Sequence, residues 1–234
     1  MRFVGDSSNG GLESDTKSGG AGLSHQFDPR NSLGTNYSYA SYNFLGSTFG
    51  VTVPNFISQT ASLAYSHQVT RKLGINIAAG PQWTSVNSPN SPQGTSLFAD
   101  ASAAYAGRFA HASLGYVRST NGGFGVTGGA LSDGVEFAAG RTFAVVWNCS
   151  FSSAYTRSST LATASIPSST FDTVVVGGQI SRAIARSLSG YASYTLERQS
   201  TSSSAGAVDV FSGLSQVVGF GVTYSPSALR IGRR

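Results

Sequence analysis

Charged residues and cysteine are both scarce in this chain of 234 residues. Asp, Glu, Lys and Arg make up 11% of the sequence, less than half of the roughly 25% typical of soluble domains. The single cysteine, Cys149, excludes an intramolecular disulfide and a cysteine-based metal cluster. No run approaches the roughly 18 consecutive apolar residues of a membrane-spanning helix. These absences exclude a disulfide-stabilised domain and a helical membrane protein.

The residues that are abundant favour a different kind of membrane protein. Hydrophobic residues make up 40% of the chain, 29 residues are glycine, and the mean hydropathy is −0.03. A transmembrane β-barrel has such a neutral average because its strands expose only alternate residues to lipid. The net charge of +5 comes from scattered basic residues without an aromatic–basic patch, so we expect no nucleic-acid partner.

Alternation of apolar and polar residues is the dominant pattern along the chain. One clear segment has Phe143, Val145, Trp147, Cys149, Phe151 and Tyr155 on one side and Ala144, Asn148, Ser150 and Ser152 on the other. Such segments are about 10 residues or longer, which is the length needed to cross a bilayer at a tilt. Strands of soluble proteins average about 5 or 6 residues. The pattern predicts strands at 17–27, 32–45, 57–69, 73–86, 95–106, 109–119, 133–140, 142–157, 170–181, 186–199 and 214–225.

The predicted connections alternate between two kinds. Short ones lie near Asp28–Asn31, Thr70–Lys72, Gly107–Arg108, Gly140–Thr142 and Arg182–Arg186. Longer ones, rich in Ser, Gly, Pro or Asn, lie near 46–56, 87–95, 119–132, 158–169 and 200–213. Short periplasmic turns and longer extracellular loops are typical of outer-membrane barrels. We therefore predict an all-β fold, an antiparallel transmembrane β-barrel.

The strand number is expected to be about 12. Eleven strands are readable, the first runs toward the short turns, and single-chain bacterial barrels have an even number of strands. Arg2-Phe3-Val4 is therefore interpreted as the remnant of a preceding strand. We expect residues 1–16 to form this remnant and a loop, 17–225 the barrel, and 226–234 a basic periplasmic tail. Because an outer-membrane protein needs an export signal and this chain shows none, the N-terminal portion is expected to be missing.

One hairpin has a recognisable style. The stretch Tyr65–Leu73, running into Ala79-Gly80-Pro81-Gln82-Trp83, resembles uncharacterised outer-membrane β-barrel (porin-like) proteins of Gram-negative soil bacteria. The resemblance implies an outer-membrane location, the barrel-assembly machinery as a partner, and no particular activity. Such proteins often end on an aromatic residue that the assembly machinery recognises, whereas here ten residues follow Tyr224. Either Tyr224 serves that role with a basic tail beyond it, or the recognition signal is atypical. A fainter internal echo pairs Ser24-His25-Gln26 and Leu33-Gly34 with Ser66-His67-Gln68 and Leu73-Gly74.

The inward face of the predicted barrel is lined by small and polar side chains. Its larger polar members are Asn76, Gln82, Asp100, Glu136, Asn148 and Glu197. A ring of about 12 strands lined in this way is wide enough to hold water, so we expect a passive channel for small polar solutes. Two alternatives stay open. One is a non-conducting outer-membrane anchor or adhesion barrel, and the other is a soluble secreted β-sandwich or barrel that acts as a binding module.

The outward face is expected to contact lipid. An aromatic girdle is predicted from Trp83, Tyr116, Tyr155, Tyr194 and Tyr224. Arg118, Arg157 and Arg198 lie near these tyrosines, and their guanidinium groups are expected to bind the phosphates of outer-membrane lipid and lipopolysaccharide. Acidic residues, including Glu13, Asp15 and Asp133, are assigned to the long loops.

The pattern predicts no enzyme. His25, His67 and His111 all fall near short turns, and the inward-facing acids are separated along the strands, so neither a catalytic triad nor a carboxylate pair is expected. We predict no catalytic, cofactor-binding or metal-binding residue. Nothing in the sequence indicates an oligomeric state.

Overall fold

The chain folds into antiparallel β-strands. A computed structural model describes residues 2–3, 13–45, 47–48, 51–52, 54–87, 94–122, 129–144, 146–161, 169–185, 187–203 and 212–224. These ranges contain no helix. The strands are β1 (Arg2–Phe3), β2 (Glu13–Asp28), β3 (Asn31–Leu45), β4 (Ser47–Thr48), β5 (Val51–Thr52), β6 (Phe56–Thr70), β7 (Leu73–Val86), β8 (Gly94–Ala106), β9 (Ala110–Asn121), β10 (Ala130–Phe143), β11 (Trp147–Thr160), β12 (Ser169–Ala185), β13 (Leu188–Ser203) and β14 (Gly213–Tyr224).

One sheet contains all the long strands. Its order is β1-β2-β3-β6-β7-β8-β9-β10-β11-β12-β13-β14, and every pair is antiparallel. The prediction of eleven long antiparallel strands is confirmed. The short strand β1 pairs with Asp15 and Ser14 of β2. Within the described ranges β14 pairs only with β13, so the sheet has two edges there.

The two kinds of connection lie at opposite ends of the sheet. Hairpins β2–β3, β6–β7, β8–β9, β10–β11 and β12–β13 are joined by two or three residues, and this side is called the turn end. The other connections have seven to ten residues, and their side is called the loop end. The predicted asymmetry is therefore confirmed.

Two of the short turns are closed by the same device. In the β2–β3 turn the Asp28 carboxylate accepts hydrogen bonds from the backbone N–H of Arg30 (2.6 Å) and the side-chain amide of Asn31 (2.7 Å). In the β6–β7 turn the Thr70 hydroxyl accepts the backbone N–H groups of Lys72 (3.2 Å) and Leu73 (3.1 Å). Short polar side chains at this position stabilise a turn by replacing backbone acceptors.

The structure corrects the internal echo in one respect. Each strand before the turn has a bulge at the equivalent place, next to Gln26 in β2 and Gln68 in β6. After the turn, Leu73 takes the position of Asn31 and not that of Leu33. The two hairpins therefore match in their first strand and turn, while the similarity of their second strands is displaced by two residues.

Two predicted turns are wrong. Most of the predicted turn Arg182–Arg186 lies inside β12, which continues to Ala185. Gly140–Thr142 lies inside β10, and the chain reverses between Phe143 and Trp147, where Ala144 adopts a left-handed φ of 48°. Gly140 has another role, because a Cβ there would overlap the ring of His111 on the neighbouring strand. The glycine is therefore needed for side-chain packing across the sheet. In the sequence alone, a glycine at this place looks like a turn residue.

The acidic residues assigned to loops are also corrected. Glu13 and Asp15 lie in β2, and Asp133 lies in β10. Their neighbours are Ser, Thr and Gly, which show little apolar alternation, yet these segments are held by backbone pairing along the ladder. Strands therefore extend further toward the loop end than alternation predicts.

Candidate functional site

The pairing register divides the side chains between two faces of the sheet. Directly opposite residues on neighbouring strands point to the same side, so rows such as Asn76–Ser102–Gly115–Glu136 can be traced across it. The side that contains this row is called the polar face. It carries all six residues predicted as a polar lining: Asn76, Gln82, Asp100, Glu136, Asn148 and Glu197.

The opposite side is called the apolar face. It carries all eight residues predicted for lipid contact: Trp83, Tyr116, Arg118, Tyr155, Arg157, Tyr194, Arg198 and Tyr224. Large hydrophobic side chains on this face are exposed, for example Leu23 (81%) and Phe220 (77%). Among the described residues, the buried hydrophobic side chains are Phe56 and Ala130, and both belong to the polar face. The sheet therefore leaves its hydrophobic side uncovered.

Contacts between distant strands show how the sheet bends. A Cβ on Gly122, just after β9, would lie 3.1 Å from the Tyr42 ring of β3, and a Cβ on Gly129 would lie 2.8 Å from Cε1 of Phe56 in β6. Each contact joins strands four positions apart, which a flat sheet would separate by roughly 19 Å. The polar face is therefore concave at the loop end, and the apolar face is convex.

Gln82 is buried at the point where two strands separate. The β8–β9 pairing ends at Ala99–Arg118, and the Gln82 side chain, 3% exposed, fills the gap beyond it. Its Oε1 accepts the backbone N–H of Thr120 (2.9 Å) and the hydroxyl of Ser96 (3.4 Å), while its Nε2 donates to Ser58 Oγ (3.0 Å). Gln82 thus bridges β6, β7, β8 and β9.

A second polar network lies on the same face in the next strands. The Ser132 hydroxyl accepts a hydrogen bond from the Asn121 side chain (3.0 Å) and contacts the Ser158 hydroxyl at 2.8 Å. Ser132 and Ser158 are 8% and 1% exposed. The loop end of the polar face is therefore filled by interlocked small polar groups.

The turn end of the polar face is open. An open pocket of about 610 Å³ lies there, and it is lined by Ser24, Gln26, Arg30, Ser66, Gln68 and Asn76, among others. Asn76 is exposed and lies 3.5 Å from Ser102 Oγ. Asn148, also exposed, accepts a hydrogen bond from Thr142 (2.6 Å). The polar face is thus accessible to water at one end and packed at the other.

The predicted acidic residues stay apart. Asp100, Glu136 and Glu197 belong to β8, β10 and β13, and no hydrogen bond or ion pair joins them to one another in the described structure. The same ranges contain no group of three or more His, Cys, Asp or Glu side chains placed to hold a metal ion. These three carboxylates therefore lie on the polar face as separate groups.

A charged row crosses the apolar face near the loop end. It consists of Arg118, Asp133, Arg157 and Asp172, which are direct partners on the adjacent strands β9 to β12. Arg118 Nη1 lies 3.1 Å from Asp133 Oδ1, and Arg157 Nε lies 4.0 Å from Asp172 Oδ1. Opposite charges placed directly across a sheet stabilise this register.

Two tyrosines complete the charged row. The Tyr116 hydroxyl donates to Asp133 (2.9 Å), and the Tyr155 hydroxyl donates to Asp172 (2.6 Å). The unit is therefore repeated: a Tyr-x-Arg sequence on one strand faces an aspartate on the next. Arg198 does not repeat it, because its partner on β12 is Val174, while the Tyr194 hydroxyl donates to Gln216.

The predicted aromatic residues fall into different zones. Trp83, Tyr116 and Tyr155 lie toward the loop end, Tyr194 in the middle of β13, and Tyr224 at the turn end. The structure adds a further aromatic set beside the short turns: Phe27, Tyr65, Tyr105, Phe109, Phe143 and Trp147. Arginine guanidinium groups lie over two of these rings, Arg108 over Phe109 (5.0 Å) and Arg182 over Trp147 (5.1 Å).

Some important residues were missed in the sequence. Asp172 gave no signal because its partner is distant along the chain. Phe56 was placed at the end of the predicted connection 46–56, whereas it is the first residue of β6. The aromatic set of the turn end was detectable, since its members lie within a few residues of the short turns.

The features described above rest on the structure of this chain and not on similarity to a known protein. A scan against protein-family models found no match, and a search of the curated proteins found no significant similarity. No helix that could cross a membrane is present in the part of the chain that the structure describes.

Proposed function

We propose that this protein is a β-barrel of the bacterial outer membrane whose polar interior passes small polar solutes. The observation that carries the proposal is the exposed, convex apolar face of the sheet behind a concave face of Ser, Thr, Gly, Asn and Gln. In water such an uncovered hydrophobic surface would be costly. Against lipid it is the stable arrangement, because barrel strands place apolar residues outward and polar residues inward.

The spacing of the aromatic zones supports a membrane setting. In β11, Trp147 and Tyr155 mark the turn-end and loop-end zones, with Cys149 and Phe151 between them on the apolar face. Eight residues at about 3.4 Å each span roughly 27 Å along the strand. At a tilt of about 40° this is roughly 21 Å of height, close to the apolar band of about 25 Å in outer-membrane barrels.

Strand direction supports a closed ring with one more strand. Both β2 and β14 run from the loop end to the turn end, so direct pairing between them would be parallel. A strand running the opposite way between them makes every pair antiparallel. β1 runs in that direction at the loop end of β2, and we interpret it as the end of this twelfth strand.

A non-conducting anchor is the second candidate, and one observation favours it. The loop end of the polar face is packed around Phe56 and Gln82, which are 2% and 3% exposed. A soluble β-sandwich receives less support, because no second layer covers the apolar face of the sheet in the residues that the structure describes. The large aromatic and aliphatic side chains of that face would need such a layer in water.

Lipid exposure is tested with the single native cysteine. A nitroxide on Cys149, on the apolar face, is expected to collide often with oxygen and rarely with a water-soluble nickel complex when the protein is in a bilayer. The matched control is Ser150→Cys in a Cys149→Ser background, one residue away on the polar face, where the nickel complex should collide often. Low collision rates with both reagents at Cys149 would indicate a protein core and reject the membrane proposal.

The outward arginines are proposed to bind phosphates of lipid or lipopolysaccharide. Arg157 is 59% exposed, and its Nε lies 4.0 Å from Oδ1 of Asp172, which is longer than a hydrogen bond. Arg198 is exposed and its partner across the ladder, Val174, is apolar. Both guanidinium groups therefore have donors available. Arg118 is more engaged, since it contacts both oxygens of Asp133 at 3.1 and 3.3 Å. Guanidinium groups bind phosphate well because their donors match two oxygens at once.

Replacing Arg157 and Arg198 together by glutamine is expected to weaken lipopolysaccharide binding by roughly tenfold for each charged hydrogen bond lost. The measurement is the amount of lipopolysaccharide retained by purified protein over a titration. Arg71→Gln, at an exposed short turn, is the control and should retain the normal amount. Equal retention by the double variant and the control would contradict this role.

A further inference from the structure

We infer that Phe56, stacked on Tyr42, forms the constriction that limits passage through the interior at the loop end. The inference rests on the proposed function, because it assigns the size-selecting residue of the same channel. It starts from the position of the two rings on the concave polar face, where Phe56 of β6 is the direct partner of Tyr42 of β3.

The two rings form a compact stack. Their centroids are 4.5 Å apart with an interplanar angle of 16°, and the Phe44 ring lies 6.2 Å from Phe56. Phe56 is 2% exposed although it belongs to the polar face. A phenyl ring on a face of Ser, Thr and Gln avoids water only if something covers it, and the opposite wall supplies the cover.

Two glycines of the opposite wall face the rings, and Leu161 lies beside one of them. The Phe56 ring lies against Gly129, which precedes β10, and the Tyr42 ring lies against Gly122, which follows β9. Gly122 and Gly129 are joined by a backbone hydrogen bond of 3.3 Å. A Cβ at either position would come within 3.1 Å of a ring, so the absence of side chains there makes room for the aromatic stack.

The stack therefore spans the concave space between strands that are four positions apart in the sheet. Toward the turn end the same face opens into the polar pocket of about 610 Å³. The interior thus narrows from an open polar vestibule to an aromatic contact. Hydrophobic constrictions of this kind restrict ions and water because wetting them is unfavourable.

The experiment measures single-channel conductance in planar bilayers with potassium chloride as the probe. Phe56→Ala removes the ring, and its conductance is expected to rise at least about twofold over the unmodified protein. Phe56→Leu keeps an apolar side chain of similar volume and should give a smaller rise. Ile57→Ala is the control, since Ile57 is the next residue but lies on the apolar face, and it should leave conductance unchanged. Heat-modifiable mobility on electrophoresis verifies that each variant is folded.

Each combination of results decides between the inference and the proposed function. If the unmodified protein conducts and neither Phe56 variant differs from it, the constriction is rejected and the channel stands. If the unmodified protein is silent and a Phe56 variant conducts, the constriction is supported and free passage is rejected in favour of a closed barrel. If all of them are folded and silent, both are rejected.

Discussion

Gly80→Ala is expected to destabilise the protein by more than about 3 kcal/mol or to prevent its assembly. A Cβ on Gly80 would overlap the backbone carbonyl oxygen of Ala61 and lie 2.7 Å from Cα of Ser62. Both are main-chain atoms of the neighbouring strand β6, so no side-chain rotation relieves the contact. The refolding yield and the urea midpoint in detergent, followed by heat-modifiable mobility, measure the effect.

The close approach has a local cause. Pairing between β6 and β7 runs through Thr60–Gln82 and resumes at Leu63–Ala79, and Gly80 lies in the interval beside Pro81. Proline has no N–H to donate to the ladder, and a glycine beside it lets the two backbones approach.

Gly94→Ala is the matched control for this substitution. Gly94 lies in the adjacent strand β8, and a Cβ there would meet nothing within 4 Å. We expect the free energy of unfolding of the Gly94→Ala variant to be unchanged or raised by up to about 1 kcal/mol, because glycine in a strand loses more conformational freedom than alanine on folding. Equal stability of the two variants would show that β6 and β7 do not approach as described.

Gln82→Ala is expected to lower the free energy of unfolding by about 2 to 3 kcal/mol. It removes one side chain that makes three hydrogen bonds and leaves the Thr120 backbone N–H without its partner in a buried position. An unpaired buried donor is costly because folding removes the water that it binds in the unfolded chain and no protein acceptor replaces that water. Chemical denaturation of the folded protein in detergent measures the change.

Asn76→Ala provides the comparison for Gln82→Ala. Asn76 belongs to the same strand and the same face, but it is exposed and its side-chain hydrogen bond to Ser102 is 3.5 Å long. We expect a change within about 0.5 kcal/mol. A loss at Asn76 as large as that at Gln82 would mean that the packed loop end contributes no more to stability than the open turn end.

Much of the fold was predictable because alternation and turn chemistry are local. Successive side chains of a strand point to opposite faces, so Trp147, Cys149 and Phe151 had to share a side wherever their strand lay. Asp28 and Thr70 close their turns through bonds to residues two or three positions away. The turn at Gly140 was predicted wrongly because the reason for that glycine is not local. It leaves space for the ring of His111 on the neighbouring strand.

The roles of individual site residues were less predictable. Alternation placed Gln82 and Asn76 on one face, and they do share it, but one is buried and the other exposed. The difference arises because the ladder between β8 and β9 opens beside Gln82. Arg118 was assigned to lipid, and only the register shows that Asp133 faces it across the ladder.

The sequence by itself determined the strands, their two faces and the two kinds of connection, because these follow from a period of two residues and from short-range hydrogen bonds. Only the tertiary structure decided which end of the polar face is packed and which is open. That result depends on the bending of the sheet, which brings Phe56 to Gly129 and Tyr42 to Gly122. Contacts between residues so far apart in the chain depend on strand order and curvature, which no local pattern records.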